Sequence, residues 1–409
     1  MAAAIFAAES ASETNLRILL LDGAKKPGAK ILVSGGGRCN VTNEAVSPGD
    51  YAGGPQPIIR NVLRAFDEQK TLEWMESLGV PLKLEPTGKY FPTSDSARTV
   101  LDALVRRVRE LGVEFVTAAR CVEISRANGG FAIALESGDV VTAPTVIVAT
   151  GGLSLPKSGS DGGGLVMLST LGHTIVSLTP SLSPLTFGSS DPLAKQLTAL
   201  SGLTIEARLQ LQEKSGRVLT SFTDSMLFTH FGLSGPAALN ISRHFLRERL
   251  DHPASCAVIA LGHPTLRNRE EADLWLQEQA RTNPKRLAAN VLRELFPERL
   301  ADVLAGEIAK PLATLSRADR LTLATRISAL PLPVTGDRGY AFAETTAGGV
   351  DLREVDHSTM QSRKIPGLFL CGELLDVDGR IGGFNFQWAW ATGYLAGRAA
   401  ARERMKEQG

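Results

Sequence analysis

The sequence is poor in the features that mark secreted, metal-binding and membrane-spanning proteins. Its 409 residues include four cysteines, none in C-x-x-C spacing, so we expect no disulfide framework, no metal site and a cytoplasmic location. No segment approaches the roughly 18 to 20 consecutive apolar residues of a membrane span. The 44 Lys and Arg residues nearly balance the 43 Asp and Glu residues. This balance argues against a general nucleic-acid or membrane-surface binder, and we expect neither a DNA nor a membrane partner.

Three motifs of common enzyme classes are also missing. No G-x-S-x-G occurs, which leaves a hydrolase unsupported. The glycine-rich stretch Ser158–Gly164 has no strand directly before it and no Lys-Ser/Thr pair, so it is not a P-loop. A dinucleotide fingerprint G-x-G-x-x-G would precede a ribose-binding acid by about 20 residues. Only 21 residues precede the candidate acid Asp22, and they contain no such fingerprint.

The hydrophobic patterns predict an α/β protein with an inserted segment. Helical periodicity covers 67–79 and 96–112, and short apolar runs indicate strands. Both chain ends contribute strands to one sheet, so we predict three parts. These are a discontinuous domain over 1–185 and 346–409, a β-rich insertion over 186–266 and 331–345, and a helical insertion over 267–330.

The 40 glycines form clusters, and the most informative cluster lies in the stretch SGGGRCNVTN, residues 34–43. Three adjacent glycines let a ligand approach the backbone closely, while an arginine and several amides offer hydrogen-bond donors. A flexible surface loop is the alternative interpretation. The candidate ligand-binding residues here are Ser34, Gly35, Gly36, Gly37, Arg38, Cys39 and Asn40.

Two further candidates follow predicted strands. Asp22 ends the run 17–22, where a carboxylate holds ribose in dinucleotide-binding folds, although an ordinary strand-end acid is the commoner case. Thr150 ends the apolar run 145–150, and Gly151 and Gly152 follow it. Ligands of open α/β sheets bind beyond the carboxyl ends of strands, but this signal is weak by itself, and an ordinary strand-to-loop turn is the alternative.

The C-terminal stretch predicts a strand, an acidic turn, a diglycine and a helix. Gly382 and Gly383 at a helix start would direct N–H groups at an electron-rich ligand, and reduced flavin develops such charge at its N1/O2 edge. Glu373 follows Gly372, where a carboxylate suits a polyol. Packing of the aromatic residues is the alternative explanation for this helix entry.

The candidates for a catalytic role are Arg38, Cys39 and His230, and the sequence does not decide between them. No two cysteines are close in sequence, so flavin–disulfide chemistry is not expected. His230 lies in the motif FTHFGLSGP, where a core or interface histidine is the commoner outcome.

Four stretches together resemble one known family. They are ILVSGGGRCNVTN (31–43), FTHFGLSGP (228–236), TAGGVD (346–351) and GRIGGFNFQWAWATG (379–393). The chain resembles, over nearly its whole length, the BaiN/RdsA family of NAD(P)/FAD-dependent oxidoreductases, also described as aminoacetone oxidase-family flavoproteins.

This resemblance implies a Rossmann-type FAD-binding domain interrupted by a β-barrel-like insertion and a small helical insertion. It implies that FAD is lined by Asp22 at the ribose position, the loop Gly35–Asn40, Gly151-Gly152, Glu373, and the set Gly382, Gly383, Phe384 and Asn385. Family members begin with a strand and a glycine-rich turn, and this chain starts about where that turn ends. We therefore expect the 409 residues to bind FAD more weakly than a version extended by such a segment.

The resemblance also implies a function, namely two-electron transfer by FAD with NAD(P)H as a transient reductant. The expected reaction is reduction of a carbon–carbon double bond in a small molecule or in RNA, including uridine to dihydrouridine in ribosomal RNA. An RNA substrate needs a basic surface, and residues 267–330 carry eleven basic against nine acidic residues. The alternatives are an amine oxidase that uses oxygen and a truncated flavoprotein remnant without catalysis. The oligomeric state is not predicted.

Overall fold

The computed structural model describes residues 1–12 and 16–408. The chain divides into two compact units, Met1–Thr179 with Glu344–Gly409, and Pro180–Ala343. Each unit has its own hydrophobic core. The division into three parts, with the boundaries given above, stays a prediction.

The N-terminal part of the first unit alternates helices and short strands. Its elements are α1 (Ala2–Ser10), β1 (Leu19–Asp22), α2 (Ala29–Val33), β2 (Thr42–Asn43), β3 (Tyr51–Gly53), α3 (Gln56–Ala65), α4 (Glu68–Ser77), β4 (Leu82–Leu84), β5 (Lys89–Pro92), α5 (Ala97–Glu110), β6 (Glu114–Thr117), β7 (Cys121–Ala127), β8 (Gly130–Leu135), β9 (Val140–Ala143), β10 (Val146–Val148), α6 (Gly163–Thr170) and β11 (Ile175–Ser181).

The second unit consists of an antiparallel sheet and helices. Its elements are β12 (Leu185–Phe187), α7 (Pro192–Thr198), β13 (Thr204–Gln212), β14 (Val218–Thr229), β15 (Gly232–Ser234), α8 (Pro236–Asp251), β16 (Val258–Gly262), α9 (Arg269–Thr282), α10 (Ala288–Leu292), α11 (Glu298–Ala305), α12 (Arg317–Ala329), β17 (Leu330–Pro331) and β18 (Val334–Asp337). Seven of these strands form one sheet in the order β17-β16-β13-β14-β15-β12-β18.

The chain then returns to the first unit with β19 (Thr345–Val350), β20 (Leu368–Leu370), β21 (Val377–Gly379) and α13 (Phe384–Gln408). Strand β20 pairs with β10 in parallel, although more than two hundred residues separate them. Strand β1 pairs in parallel with β6. Parallel strands joined through helices are the α/β arrangement that the sequence predicts, and that fold class is confirmed.

Strand β1 differs in detail from its prediction. The run 17–22 is predicted to be a strand, but the strand covers only Leu19–Asp22, and all four of its residues are half-buried. Within the described residues, its one hydrogen-bonded neighbour is β6. A strand with a single ladder partner is covered less fully than a central strand.

Two other elements were only partly anticipated. The stretch 186–262 was expected to be mainly β, but it also contains α7 and the 16-residue helix α8. Helix α8 begins with Pro236 directly after Gly235, and proline is well suited to the first helical turn. The helical prediction for 267–330 agrees with α9 to α12. Strands β7, β8 and β9 pair in sequence as an antiparallel meander.

The first unit owes its tight helix pairing to small residues. Helix α1 has the sequence AAAIFAAES and packs against α13. A Cβ atom at Gly397 would lie 2.3 Å from the carbonyl oxygen of Ala3. The two backbones therefore approach more closely than any side chain at Gly397 would permit, and this approach fixes α13 against the core.

Candidate functional site

Four separate segments of the chain meet at the carboxylate of Glu373, just beyond the carboxyl end of β20. The Lys30 ammonium, from α2, forms an ion pair with this carboxylate. The Ser154 hydroxyl donates to Glu373 Oε1 at 2.7 Å, and the backbone N–H of Thr346 donates to the same oxygen at 3.1 Å. Lys30 Nζ also donates to Ser154 Oγ at 2.7 Å. We call these four residues the Glu373 cluster.

Gly152 is packed directly against this cluster. A Cβ atom there would lie 2.5 Å from Thr346 Oγ1 and 2.9 Å from Glu373 Oε1. Thr346 Oγ1 accepts hydrogen bonds from the backbone N–H groups of Leu153 (2.8 Å) and Ser154 (3.0 Å). The turn after β10 and the carboxylate after β20 therefore form one structure, as expected for neighbouring parallel strands.

Thr150 and Gly151 have packing roles. A Cβ at Gly164, in the first turn of α6, would overlap Thr150 Oγ1, and a Cβ at Gly151 would lie 2.6 Å from Ser160 Oγ. The glycines that imitate a phosphate loop in the sequence thus let α6 pack against the end of β10.

A second group of predicted residues, Asn40 to Asn43, is joined to the diglycine. The Asn40 amide, in the orientation that satisfies both of its groups, accepts from Gly383 N at 3.0 Å and donates to the Thr42 carbonyl at 3.0 Å. Asn43 Nδ2 donates to the Gly382 carbonyl at 3.0 Å. Gly383 has φ +93°, and a Cβ there would lie 2.6 Å from the Thr42 carbonyl. This close approach requires glycine at position 383, whatever ligand the diglycine also meets.

The side chains of Phe384 and Asn385 contact other residues of the protein. The Phe384 ring is fully buried and lies edge-to-face with Tyr51, whose hydroxyl donates to the Phe384 carbonyl at 2.9 Å. The Asn385 amide accepts from Gly379 N at 2.8 Å and donates to the Gly379 carbonyl at 2.9 Å. Their predicted contact with FAD stays a prediction, and their observed contacts are structural.

The glycine-rich turn is more open. Gly35 and Gly36 are exposed, and no atom of residues 1–12 or 16–408 lies within 4 Å of the position of a Cβ at Gly36. The Ser34 hydroxyl donates to the Ile31 carbonyl at 2.7 Å. Gly37 has φ +85° and is half-buried. A ligand can reach the backbone at Gly36 without displacing a side chain.

Arg38 leaves this turn toward neighbouring strands. Its Nη1 lies 2.6 Å from Glu85 Oε1, and its guanidinium lies 3.9 Å from the centre of the Phe91 ring. The guanidinium thus has an acidic partner and an aromatic support. Its catalytic role stays a prediction.

Both cysteines near the predicted site are buried. Burial raises the pKa of Cys39 to about 12 and that of Cys371 to about 12. A thiol with such a pKa remains protonated at neutral pH and is a poor nucleophile. This argues against a thiolate role for Cys39, which remains untested as a catalytic residue.

Asp22 is half-buried at the end of β1, and its Oδ1 accepts from Ala24 N at 2.9 Å. Burial lowers the pKa of the Met1 amino group, while the charge of Asp22 acts to raise it. The start of α1 therefore lies near the end of β1. His230, by contrast, belongs to the unit 180–343, where it is exposed and lies edge-to-face with Phe231 at 5.1 Å between ring centres.

Sequence reasoning missed Lys30, Ser154 and Thr346 as members of the site. Lys30 directly precedes the motif ILVSGGGRCNVTN, and Thr346 begins TAGGVD. Their place beside quoted motifs was an available signal. The contacts of Lys30 and Ser154 with Glu373 span 343 and 219 positions, and that of Thr346 spans 27. Local spacing reveals none of these contacts.

Other features of the first unit lie apart from this cluster. A groove of about 520 Å³ is lined by Ser358, Phe369, Tyr394 and Arg402 among others, and no predicted cofactor residue borders it.

Over residues 1–12 and 16–408, no helix is long and apolar enough to cross a membrane. The same residues contain no group of three or more His, Cys, Asp or Glu side chains arranged to hold a metal ion.

Comparison with known proteins decides the family. The HI0933-like protein Rossmann domain family matches residues 2–399. The chain belongs to this family. It is 33% identical over 396 residues to the ribosomal RNA dihydrouridine synthase of Escherichia coli, covering 96% of this chain and 94% of that protein. It is 34% identical to the 3-dehydro-bile acid delta(4,6)-reductase of Clostridium scindens, covering 98% and 96% of the two chains.

The predicted resemblance to the BaiN/RdsA oxidoreductases is thereby confirmed, and the protein is an oxidoreductase of this family. Among solved structures, the FrdA subunit of Escherichia coli quinol fumarate reductase matches with a TM-score of 0.50 at 17% identity, over 100% of this chain and 69% of that one. This likeness concerns the fold, and the Rossmann-type prediction is confirmed with it.

Proposed function

We propose that this HI0933-like protein is an FAD-dependent oxidoreductase that uses NAD(P)H to reduce a carbon–carbon double bond, with uridine in ribosomal RNA as the first candidate substrate. The Glu373 cluster is the observation that carries the proposal. It gathers an ammonium, a hydroxyl and a carboxylate at the carboxyl end of β20, where open α/β sheets bind their ligands. Two relatives that match over nearly their full length are named for double-bond chemistry.

The residues of this region fit a polyol and diphosphate ligand. Among the described residues, no atom lies within 4 Å of a Cβ at Gly36 or at Gly372, so a ligand can approach the backbone at both glycines. Thr345, at the start of β19, has a buried hydroxyl that finds no hydrogen-bond partner in the same part of the chain. Burying an unpaired hydroxyl is costly, and a polar ligand atom would remove that cost. When bound, FAD supplies the two-electron transfer.

The residues of the chain itself bind and orient this ligand. The Lys30 ammonium orients the Glu373 carboxylate through their ion pair, and a carboxylate accepts hydrogen bonds from hydroxyl groups. Asp22 offers a carboxylate for a ribose. Cys39 and Cys371 stay neutral because of their raised pKa values, so the electrons pass without a thiolate.

The test begins with the purified protein. Its visible spectrum reports bound flavin, and anaerobic addition of NADH or NADPH reports flavin reduction. The reduced protein is then given an unmodified ribosomal RNA transcript, and the product is analysed by mass spectrometry for uridines that have gained two hydrogens. Protein that binds no flavin, even after incubation with FAD, would support a non-catalytic remnant instead.

A paired substitution tests the site itself. Glu373→Gln removes a charge-assisted acceptor worth roughly 1.5 to 3 kcal/mol, so FAD should bind about ten- to a hundredfold more weakly. Glu114→Gln is the matched control, since Glu114 is an exposed partner of Arg17 away from the cluster. Equal FAD affinity in both variants would contradict the assignment of the site.

A small conjugated ketone is the second candidate substrate, because the bile acid reductase is as similar to this chain as the RNA enzyme. Turnover of a steroid dienone, but not of RNA, would favour it. The third possibility, an amine oxidase, predicts peroxide release from small amines in the presence of oxygen and without NAD(P)H.

A further inference from the structure

The unit 180–343 contains an arginine held between two aromatic rings. The Arg338 guanidinium lies 3.4 Å from the centre of the Phe342 ring and 4.5 Å from that of Phe231. Phe342 is 47% exposed, although it is a large apolar residue. His230 is exposed beside Phe231. We call Arg338, Phe231, Phe342 and His230 the Arg338 stack.

This arginine has no acidic partner among the residues that the structure describes. The neighbouring carboxylate of Asp337 is occupied, since it accepts from the Ser183 hydroxyl at 2.8 Å and from Gly339 N at 2.7 Å. The aromatic faces hold the guanidinium by cation–π contacts but satisfy none of its N–H groups. An oriented guanidinium with unsatisfied N–H groups is a receptor for an anion.

The helical segment 267–330 offers less free positive charge than its composition suggests. Acidic neighbours pair with Arg281, Arg286, Arg293, Lys310 and Arg320. Each such pair joins one basic and one acidic residue, so the segment keeps a net excess of only two positive charges, eleven basic against nine acidic residues. This small excess does not by itself provide the basic surface that an RNA substrate needs. The Arg338 stack combines an unpaired cation with an exposed ring.

We propose that the Arg338 stack binds one nucleotide of a single-stranded RNA. Arg338 contacts a phosphate, and the exposed face of Phe342 stacks on a base. Single-stranded nucleic acids are bound by this combination, in which aromatic rings stack on bases and cations contact the backbone. His230 lies at the edge of the stack, where its ring can donate a hydrogen bond to the same strand. The assignment rests on the proposed function, because it names where the RNA substrate is held.

The test is equilibrium binding of a fluorescein-labelled, uridine-rich RNA of about 12 nucleotides, a length within the usual single-strand site range. Phe342→Ala should weaken binding about five- to a hundredfold, since stacking contributes roughly 1 to 3 kcal/mol per base. Arg338→Ala should weaken binding. It should also reduce the slope of log affinity against log salt concentration by about 0.7, the contribution of one phosphate contact on a single strand. Arg338→Lys keeps the charge and should restore the slope while leaving binding weak, because an ammonium does not form the planar stack.

The matched control is Arg281→Ala, because Arg281 is exposed but paired with Glu278. We expect it to bind the RNA within about twofold of the parent protein, as surface charges beside a partner contribute little. Thermal melting and flavin content should be unchanged in Phe342→Ala, whose side chain is exposed. NAD(P)H-dependent flavin reduction, which needs no RNA, should also be unchanged in every variant.

These readouts separate failure of the inference from failure of the proposed function. RNA affinity that is unchanged in both Phe342→Ala and Arg338→Ala would overturn the assignment of the stack, even if the flavin is reduced normally. Equal weakening in the Arg281 control would overturn it too, because the effect would then be one of net charge. Absence of flavin reduction in the parent protein would refute the proposed function and leave the RNA-binding result to be judged by itself.

Discussion

A buried polar network in the first unit allows a quantitative prediction about stability. Glu354 Oε2 lies 2.9 Å from His173 Nδ1 and accepts from Thr174 N at 3.0 Å, while Lys364 Nζ lies 2.6 Å from Glu354 Oε1. On the other side of the imidazole, Ser362 Oγ lies 3.0 Å from His173 Nε2. The network ties the start of β11 to the segment before β20, so it supports the strand that carries the Glu373 cluster.

The size of the effect follows from the pKa of Glu354. Burial alone would raise this pKa, but hydrogen bonds from Lys364, Thr174 and His173 outweigh it and lower the pKa from 4.5 to about 2. Each pKa unit corresponds to about 1.4 kcal/mol. The ionised carboxylate thus stabilises the fold by about 3 kcal/mol at neutral pH, and Glu354→Gln should lower the free energy of unfolding by roughly that amount.

The pH dependence has a definite sign. A carboxylate with a depressed folded pKa stabilises above its unfolded pKa of about 4.5, and the stabilisation is lost as pH falls toward 2. Burial also lowers the pKa of His173 below 6.5, although the Glu354 contact opposes this. Protonation of His173 is therefore disfavoured in the fold, and it also costs stability as pH falls below 6.5.

The assay is urea-induced unfolding followed by circular dichroism between pH 7 and pH 3. We expect the parent protein and Glu354→Gln to differ by about 3 kcal/mol at pH 7, and the difference to shrink below pH 4.5. Glu278→Gln is the control, because Glu278 is an exposed partner of Arg281 and should change little. A difference below about 0.5 kcal/mol at pH 7, or one that is the same at pH 7 and pH 3, would refute the reasoning.

Two further predictions concern the cofactor. Cys39→Ser and Cys371→Ser should retain flavin reduction by NAD(P)H, because neither buried thiol ionises at neutral pH; loss of reduction with flavin still bound would restore a thiol mechanism. Gly383→Val should lower both stability and flavin content, because the new side chain clashes with the Thr42 carbonyl. Gly36 also has a positive φ, but a Cβ there meets no atom of the described residues, so Gly36→Ala should lower the free energy of unfolding by only about 1 kcal/mol. Equal losses of stability in the two variants would show that backbone strain causes them, and not the clash.

Local periodicity was sufficient for the elements that carry a regular apolar stripe. The stripe over 96–112 gives α5 because Val100, Leu104 and Val108 repeat on one face and are all fully buried. The meander β7 to β9 follows similarly from alternation between short turns. Helix α8 lacked a comparable signal, since it lies among strands and its buried face includes alanines and a serine that fit several structures.

The Glu373 cluster was beyond such reasoning for a physical reason. Its central ion pair joins Lys30 to a carboxylate 343 positions away, and no local pattern encodes a contact at that separation. The sequence did suggest Gly152 and Glu373 separately, because each follows a predicted strand. Their proximity depends on the parallel pairing of β10 with β20, which only the three-dimensional structure reveals.

The long C-terminal motif shows why a motif is not the same as a ligand site. Within it, Asn385 closes the turn at Gly379, Gln387 Oε1 accepts from the Thr42 and Thr71 hydroxyls, and Trp390 Nε1 donates to the Val41 carbonyl at 3.0 Å. These side chains join α13 to the segment after the glycine-rich turn, and each would be needed even if no ligand were bound. In such a motif, residues that bind a cofactor lie next to residues that only position the binding residues. Glu373 and Lys30, which have partial exposure and charge, are therefore sharper tests of FAD binding than the aromatic helix that follows.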